Sequence, residues 1–144
     1  MRSGVSLACS ATQIVQDFLA AWIAGDVNGA LAWFAPEGVY ALHISDELLP
    51  SGGESVGRDN FASALRSFRE NFDYLLFRPL AMTAEEPIVR LQVEFMYRHR
   101  LSGEMLNGRL RLVFRVENGL ITRIDEYHDR AKVEAFMRLF GRGA

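Results

Sequence analysis

The sequence predicts an α+β domain in which helices come first and a mostly antiparallel sheet follows. Three observations lead there. Apolar residues recur at helical spacing from Ile14 to Ile23 and again from Phe61 to Phe72. Strand-like runs then succeed one another around residues 74–83, 87–101, 108–117 and 119–128. Between the last two runs stands Glu117-Asn118-Gly119, a hairpin signal, because Asn-Gly accepts the positive φ angles of a tight β-turn. Early helices and a late meander argue against βαβ winding.

Each element has its own warrant. Residues 1–9 read as a flexible arm and residues 10–144 as one domain. Ser10 or Thr12 caps a first helix whose apolar positions are Ile14, Val15, Phe18, Leu19, Trp22 and Ile23, and Gly25-Asp26 ends it. A second short helix presents Ala30, Leu31, Trp33 and Phe34, with Pro36 and Gly38 as its stop. Val39 to Ile44 reads as a short strand. Ser45 to Gly57, with Pro50, Gly52, Gly53 and Ser55, reads as a mobile surface loop. Arg58-Asp59-Asn60 opens a third helix with Phe61, Leu65, Phe68 and Phe72 on one face, and Ala131 to Phe140 forms a closing helix.

Composition narrows the function classes. A chain of 144 residues buries a core without staples. Ten Phe, four Tyr and two Trp suit a fold with a large apolar interior. A net charge of −2 argues against nucleic-acid binding and a membrane-surface role. The single cysteine, Cys9, excludes an intrachain disulfide and a cysteine-built zinc site. The apolar run from Val5 to Cys9 is too short for a secretory signal, and no stretch reaches the roughly 18 apolar residues of a membrane span. The expectation is a cytoplasmic domain.

Three segments carry a resemblance. Ile14 to Ala35 is an apolar helix, then Ala-Gly-Asp, then a second helix ending in Phe-Ala. Val56-Gly57-Arg58-Asp59-Asn60-Phe61 is a glycine-led entry to a helix. Asn118-Gly119-Leu120-Ile121 is followed by Glu126-Tyr127-His128-Asp129. In this order the chain resembles the SnoaL-like and ketosteroid-isomerase-like superfamily, which has the nuclear-transport-factor-2-like fold, with some similarity to limonene-epoxide hydrolases. The resemblance implies a cone-shaped barrel: a curved, mostly antiparallel sheet packed on about three N-terminal helices, with a short C-terminal helix and one deep apolar pocket. It implies no cofactor, a small apolar organic ligand or substrate, and a homodimer.

Each chemistry in that superfamily leaves a different set of residues here. Steroid isomerases pair an Asp base with an oxyanion hole of Tyr and a protonated Asp. The matching positions hold Phe18, Leu42 and, nearby, Arg109. Phe cannot donate a hydrogen bond and Leu cannot take a proton, so that mechanism is excluded. Epoxide hydrolases use an Asp–Arg–Asp arrangement with Tyr and Asn placing the water. Glu94 and Glu126 match the acids, Gln92 replaces the arginine, Tyr40 matches the Tyr and Leu42 replaces the Asn. Arg98 or Arg109 is then the source of the missing charge, and without it two facing carboxylates form an acid/base pair. SnoaL-type cyclases depend on an acid near the end of the last strand, which Asp129 matches; Leu101 stands where the family has a His, with His99 two residues earlier.

The expected catalytic set is therefore Glu126, Glu94, Tyr40 and Asp129. Phe18, Trp22, Trp33 and Phe68 are expected to serve as core and pocket wall together, His43 to sit at the pocket mouth, and Gln92, Arg98 and His99 to complete the lining. His99 and His128 are too scattered for a metal site. Bland readings stand beside these: Asp129 as a helix cap, Glu94 facing solvent, Tyr40 as core packing. The functional readings are an acid–base enzyme, a binding module without chemistry, or an interaction domain. The last turns on Leu91 to Leu101, where Val93, Phe95 and Tyr97 share one face: if they are not core, a second copy must cover them.

Overall fold

The computed structural model describes residues 10–44 and 53–140. The predicted arm over residues 1–9 and most of the predicted loop, residues 45–52, lie outside the described residues. Helix α1 spans Ala11–Ile23 and begins as the sequence predicts: the Ser10 side chain accepts a hydrogen bond from the Gln13 amide at 3.1 Å. Its inward stripe is Ile14, Val15, Phe18, Leu19 and Trp22, whereas Ile23 is 45% exposed. Gly25, at φ +80°, carries the chain out of the helix into Asp26, whose carboxylate caps α2 (Val27–Leu31).

Strand β1 runs Phe34–His43 and is longer than predicted. The sequence assigned Phe34 to the second helix, but α2 stops at Leu31 and Phe34 pairs with Ile121 in the sheet. The apolar run before Pro36 gave a false helical period. Gly53–Val56, read as loop, is a short strand β2 paired antiparallel with β1. Helix α3 (Arg58–Asn71) then packs Phe61 and Leu65 inward. Its start is pinned to β1, since the Gly57 amide donates to the Gly38 carbonyl at 2.8 Å and the Arg58 guanidinium donates to the Phe34 carbonyl. Phe72, predicted on the helix, is instead the first residue of β3 (Phe72–Glu85).

Three further strands follow: β4 (Ile88–His99), β5 (Met105–Glu117) and β6 (Leu120–Tyr127). The β5–β6 turn has Asn118 at φ 53° and Gly119 at φ 79°, the positive angles expected of Asn-Gly. Helix α4 (Arg130–Phe140) closes the domain. The sheet has six strands in the order β2-β1-β6-β5-β4-β3, with only β1 and β6 parallel. This is the α+β architecture that the element order implied.

Alternation along β4 decides the layers. Val89, Leu91, Val93, Phe95 and Tyr97 are buried against the helices, while Arg90, Gln92 and Arg98 lie on the outer face. Val93, Phe95 and Tyr97 are therefore covered within the chain, and they do not require a second copy. No helix among the described residues is long and apolar enough to cross a membrane.

Candidate active site

An apolar cavity of about 70 Å³ lies between the inner sheet face and helices α1, α3 and α4. Phe18 and Trp22 of α1, Phe61, Leu65 and Phe68 of α3, and Val133 and Phe136 of α4 form the helical wall. The titratable residues lining it are Tyr40, Tyr74, Tyr97, Glu126 and His128. Strand geometry explains how Glu126 gets there. On β6, Ile124 points into the core, so Glu126 and then His128, two and four residues on, follow it to the same face. Asp125 points the other way and pairs with Arg123 and His43.

Parallel pairing sets Leu42 opposite Glu126 and Tyr40 opposite Ile124, so Tyr40 is a diagonal neighbour of Glu126. Its hydroxyl donates to Glu126 Oε1 at 2.8 Å. On the other side His128 Nε2 lies 2.6 Å from Glu126 Oε2. Both carboxylate oxygens are thus engaged, in a continuous Tyr40–Glu126–His128 chain along a largely apolar wall. The His128 side chain is 6% exposed and that of Glu126 18%. Which group donates in this contact depends on the imidazole tautomer: an ionised carboxylate accepts from an imidazole N–H, and a protonated one donates to the bare ring nitrogen. Among the described residues, no three His, Cys, Asp or Glu side chains gather to hold a metal ion.

The three pocket tyrosines are held protonated. Burial pushes the Tyr40 hydroxyl well above its ordinary value, and the Glu126 charge adds to that. Burial does the same for Tyr97 and Tyr74, again with Glu126 adding, while the Arg69 charge pulls both back a little. The sign for stability follows. Above the ordinary tyrosine value of about 10, the unfolded chain loses these protons while the folded chain keeps them. The unfolded state then binds fewer protons, so stability falls as pH rises past that point. Denaturant midpoints measured across the alkaline range are expected to drop, and Tyr40→Phe is expected to flatten the slope; an equal slope in both proteins would show that Tyr40 ionises normally.

The sequence matches the family described as the SnoaL-like domain over residues 15–124. The chain belongs to the SnoaL-like family. No curated protein matches it. Among solved structures, an NTF2-like protein from Burkholderia thailandensis is similar at 24% identity and a TM-score of 0.79, covering 90% of this chain and 98% of that one. A protein of ketosteroid-isomerase-like fold from Catenulispora acidiphila, crystallised with trimethylamine, is similar at 17% identity and a TM-score of 0.72, covering 85% of this chain and 90% of its own. TerC, co-crystallised with polyporic acid, is similar at 13% identity and a TM-score of 0.77, over 89% and 98%. These likenesses show the nuclear-transport-factor-2-like fold. Glu126 and His128 lie beyond the matched stretch, so their place in this SnoaL-like domain rests on geometry.

The structure brings some of the predicted site together and disperses the rest. Tyr40, Glu126, Phe18, Trp22 and Phe68 all line the cavity. Glu94 does not: Val93 and Phe95 point inward, so Glu94 points out, where the Arg78 guanidinium pairs with it and holds its carboxyl below the usual range. The expected Glu94–Glu126 pair is therefore not formed. Gln92 and Arg98 share that outer face, Arg98 paired with Asp73 at 2.9 Å. Asp129 is exposed and caps α4, its side chain accepting from the Lys132 amide at 3.3 Å.

His43 also points outward, 2.9 Å from Asp125 and stacked on Tyr127 at 4.2 Å. Trp33 packs half-buried against the core without reaching the cavity. His99 does not line the cavity either; its Nδ1 lies 2.9 Å from Ser102 Oγ, and its ring meets the lining residues Phe72 and Phe136 edge-on.

Three residues of the SnoaL-like pocket were missed as site residues. His128 was weighed only as a metal ligand, although its place two residues after Glu126 put both on one face. Tyr97 was read only as part of a face that is either core or covered by a second copy. Tyr74 becomes its partner through the β3–β4 register, a long-range fact.

Proposed function

We propose that this SnoaL-like domain is a cofactor-independent acid–base enzyme acting on a small, largely apolar molecule, with Glu126 as the group that takes and returns a proton. The observation that carries this is the Tyr40–Glu126–His128 chain on the wall of an apolar cavity. A carboxylate in such a wall costs free energy, and the cost is offset here by two hydrogen-bond partners that also fix its direction. A substrate C–H or O–H presented to Glu126 would lose its proton to the carboxylate, with His128 sharing the proton and Tyr40 holding the carboxylate in place. At about 70 Å³ the resting cavity suits a molecule of few non-hydrogen atoms. A larger substrate would displace half-buried Phe68, Phe77 and Leu106.

The test is hydrogen–deuterium exchange in heavy water, followed by proton NMR, on a panel of small carbon acids: cyclic ketones, esters and nitroalkanes. Accelerated exchange of at least one member supports the reading. Saturable binding without any exchange across the panel would favour the second one, a module that sequesters an apolar ligand. That alternative draws its support from Phe18 and Leu42, which stand where the isomerases carry their hydroxyl and base.

A further inference from the structure

A proton taken up by Glu126 must leave the cavity before a solvent proton can replace it, and a second, smaller space lies next to His128. Between β5 and the start of α4 is a crevice of about 10 Å³, whose lining includes Phe95, Gly108, His128, Asp129 and Lys132. That is room for about one water molecule. Its origin is local. Leu110 and Leu112 are buried in the core, so Gly108 faces the same way and puts no side chain there. A Cβ on Gly108 would stand 3.2 Å from Lys132 Nζ, the amine that reaches across to donate to the Asn107 carbonyl. The rim meets solvent, since Asp129 and Lys132 are both exposed.

The cavity and the crevice share three lining residues, Leu106, His128 and Val133, and of these His128 is the one that can carry a proton. Its Nε2 lies 2.6 Å from Glu126, and its Nδ1, across the ring, has no hydrogen-bond partner among the described residues. That nitrogen is not sealed off either: among the described side chains, only Arg69 Nε is buried without a partner. An imidazole can take a proton at one nitrogen and release one from the other. Tyr40, on the second carboxylate oxygen, gives no such way out. It is 3% exposed, and burial holds its proton in place.

We infer that His128 is the proton port of the site, passing protons between Glu126 and water in the crevice through its two ring nitrogens. Its use in turnover rests on the proton-transfer role proposed for Glu126. Once Glu126 has taken a proton, its O–H donates to a bare Nε2. Transfer gives an imidazolium and an ionised carboxylate, and loss of the Nδ1 proton to water leaves a neutral ring with its proton on Nε2. The same steps in reverse bring a solvent proton in. One proton leaves for each that arrives, and nothing is oxidised or reduced. His128 thus acts through Glu126 and makes no contact with the substrate in this step.

Two measurements test the port. The first needs no substrate: NMR of the whole protein with ¹⁵N-labelled histidine follows exchange of the His128 ring proton with water, its signal being the one that His128→Gln removes. Lys132→Phe lays an apolar ring over the crevice and is expected to slow that exchange several-fold. Should it not fold, Lys132→Leu is read in the same way. An unchanged rate would overturn the inference, because the proton would then leave by another route.

The second follows α-proton exchange of cyclopentanone and nitroethane, each protiated or deuterated at the α-carbon. In His128→Gln the amide still bonds Glu126 but relays nothing, so the abstracted proton returns to carbon. Exchange is expected to be about 10²-fold slower than in the wild type, with a smaller primary isotope effect, and added imidazole is expected to restore part of it. Slower exchange with an unchanged isotope effect would mean that His128 only orients Glu126, and would overturn the port. Ring exchange slowed in Lys132→Phe, with neither probe exchanging even in the wild type, would uphold the port and sink the proton-transfer reading instead.

Discussion

Phe61→Ala is expected to lower the free energy of unfolding by about 3–5 kcal/mol, the usual range for removing a fully buried aromatic ring. Phe61 is 0% exposed and stands where helix α3 meets the sheet. Its ring centroid lies 4.3 Å from that of Phe34, 4.9 Å from Tyr40 and 6.3 Å from Phe18, so one truncation strips partners from β1 and α1 together. Aromatic pairs in such offset or tilted geometries are worth about 0.5–1.5 kcal/mol beyond their buried area. Against a total stability of about 5–15 kcal/mol, the loss is a large fraction of what holds the domain folded. Urea unfolding at two or more pH values measures it: the midpoint should fall with an unchanged denaturant slope. A loss under about 1 kcal/mol would mean that the neighbouring rings collapse into the space, and that this wall of the cavity is softer than its packing implies.

That cluster was legible in the sequence, and the reason is local. Phe18 and Phe61 fall on helical stripes, and periodicity places such residues inward without knowledge of the partner. The same logic failed at Phe34, because Ala30, Leu31, Trp33 and Phe34 fit a helix and a helix-to-strand junction equally well. Pairing of Phe34 with Ile121, far along the chain, decided for the strand. The site divides along the same line. Glu126 and Tyr40 were legible through the resemblance. Glu94 was chosen on the same ground, yet alternation against Val93 and Phe95 turned it out to Arg78. The Tyr74–Tyr97 pair was not legible at all: it depends on the β3–β4 register, which carries an irregularity between Tyr74 and Leu76.

Glu126→Gln is expected to slow substrate proton exchange by about 10²–10⁴-fold, the range that a positioned acid–base group contributes. The substitution tests the charge and basicity of the carboxylate while sparing the packing. An amide oxygen still accepts the Tyr40 hydroxyl, so the bond now 2.8 Å long at Oε1 has a successor and ligand binding should hardly change. Glu126→Leu would differ, since it strands both the Tyr40 hydroxyl and the His128 imidazole at about 1–3 kcal/mol each. Comparing the two variants separates a chemical effect from a structural one. The double variant E126Q/H128Q adds the sharper test. If the two groups share one proton across their 2.6 Å contact, they act as a unit, and removing His128 after Glu126 should cost almost nothing more. Rate losses that multiply would mean that His128 moves a separate proton, and would make it an independent acid or base of the site.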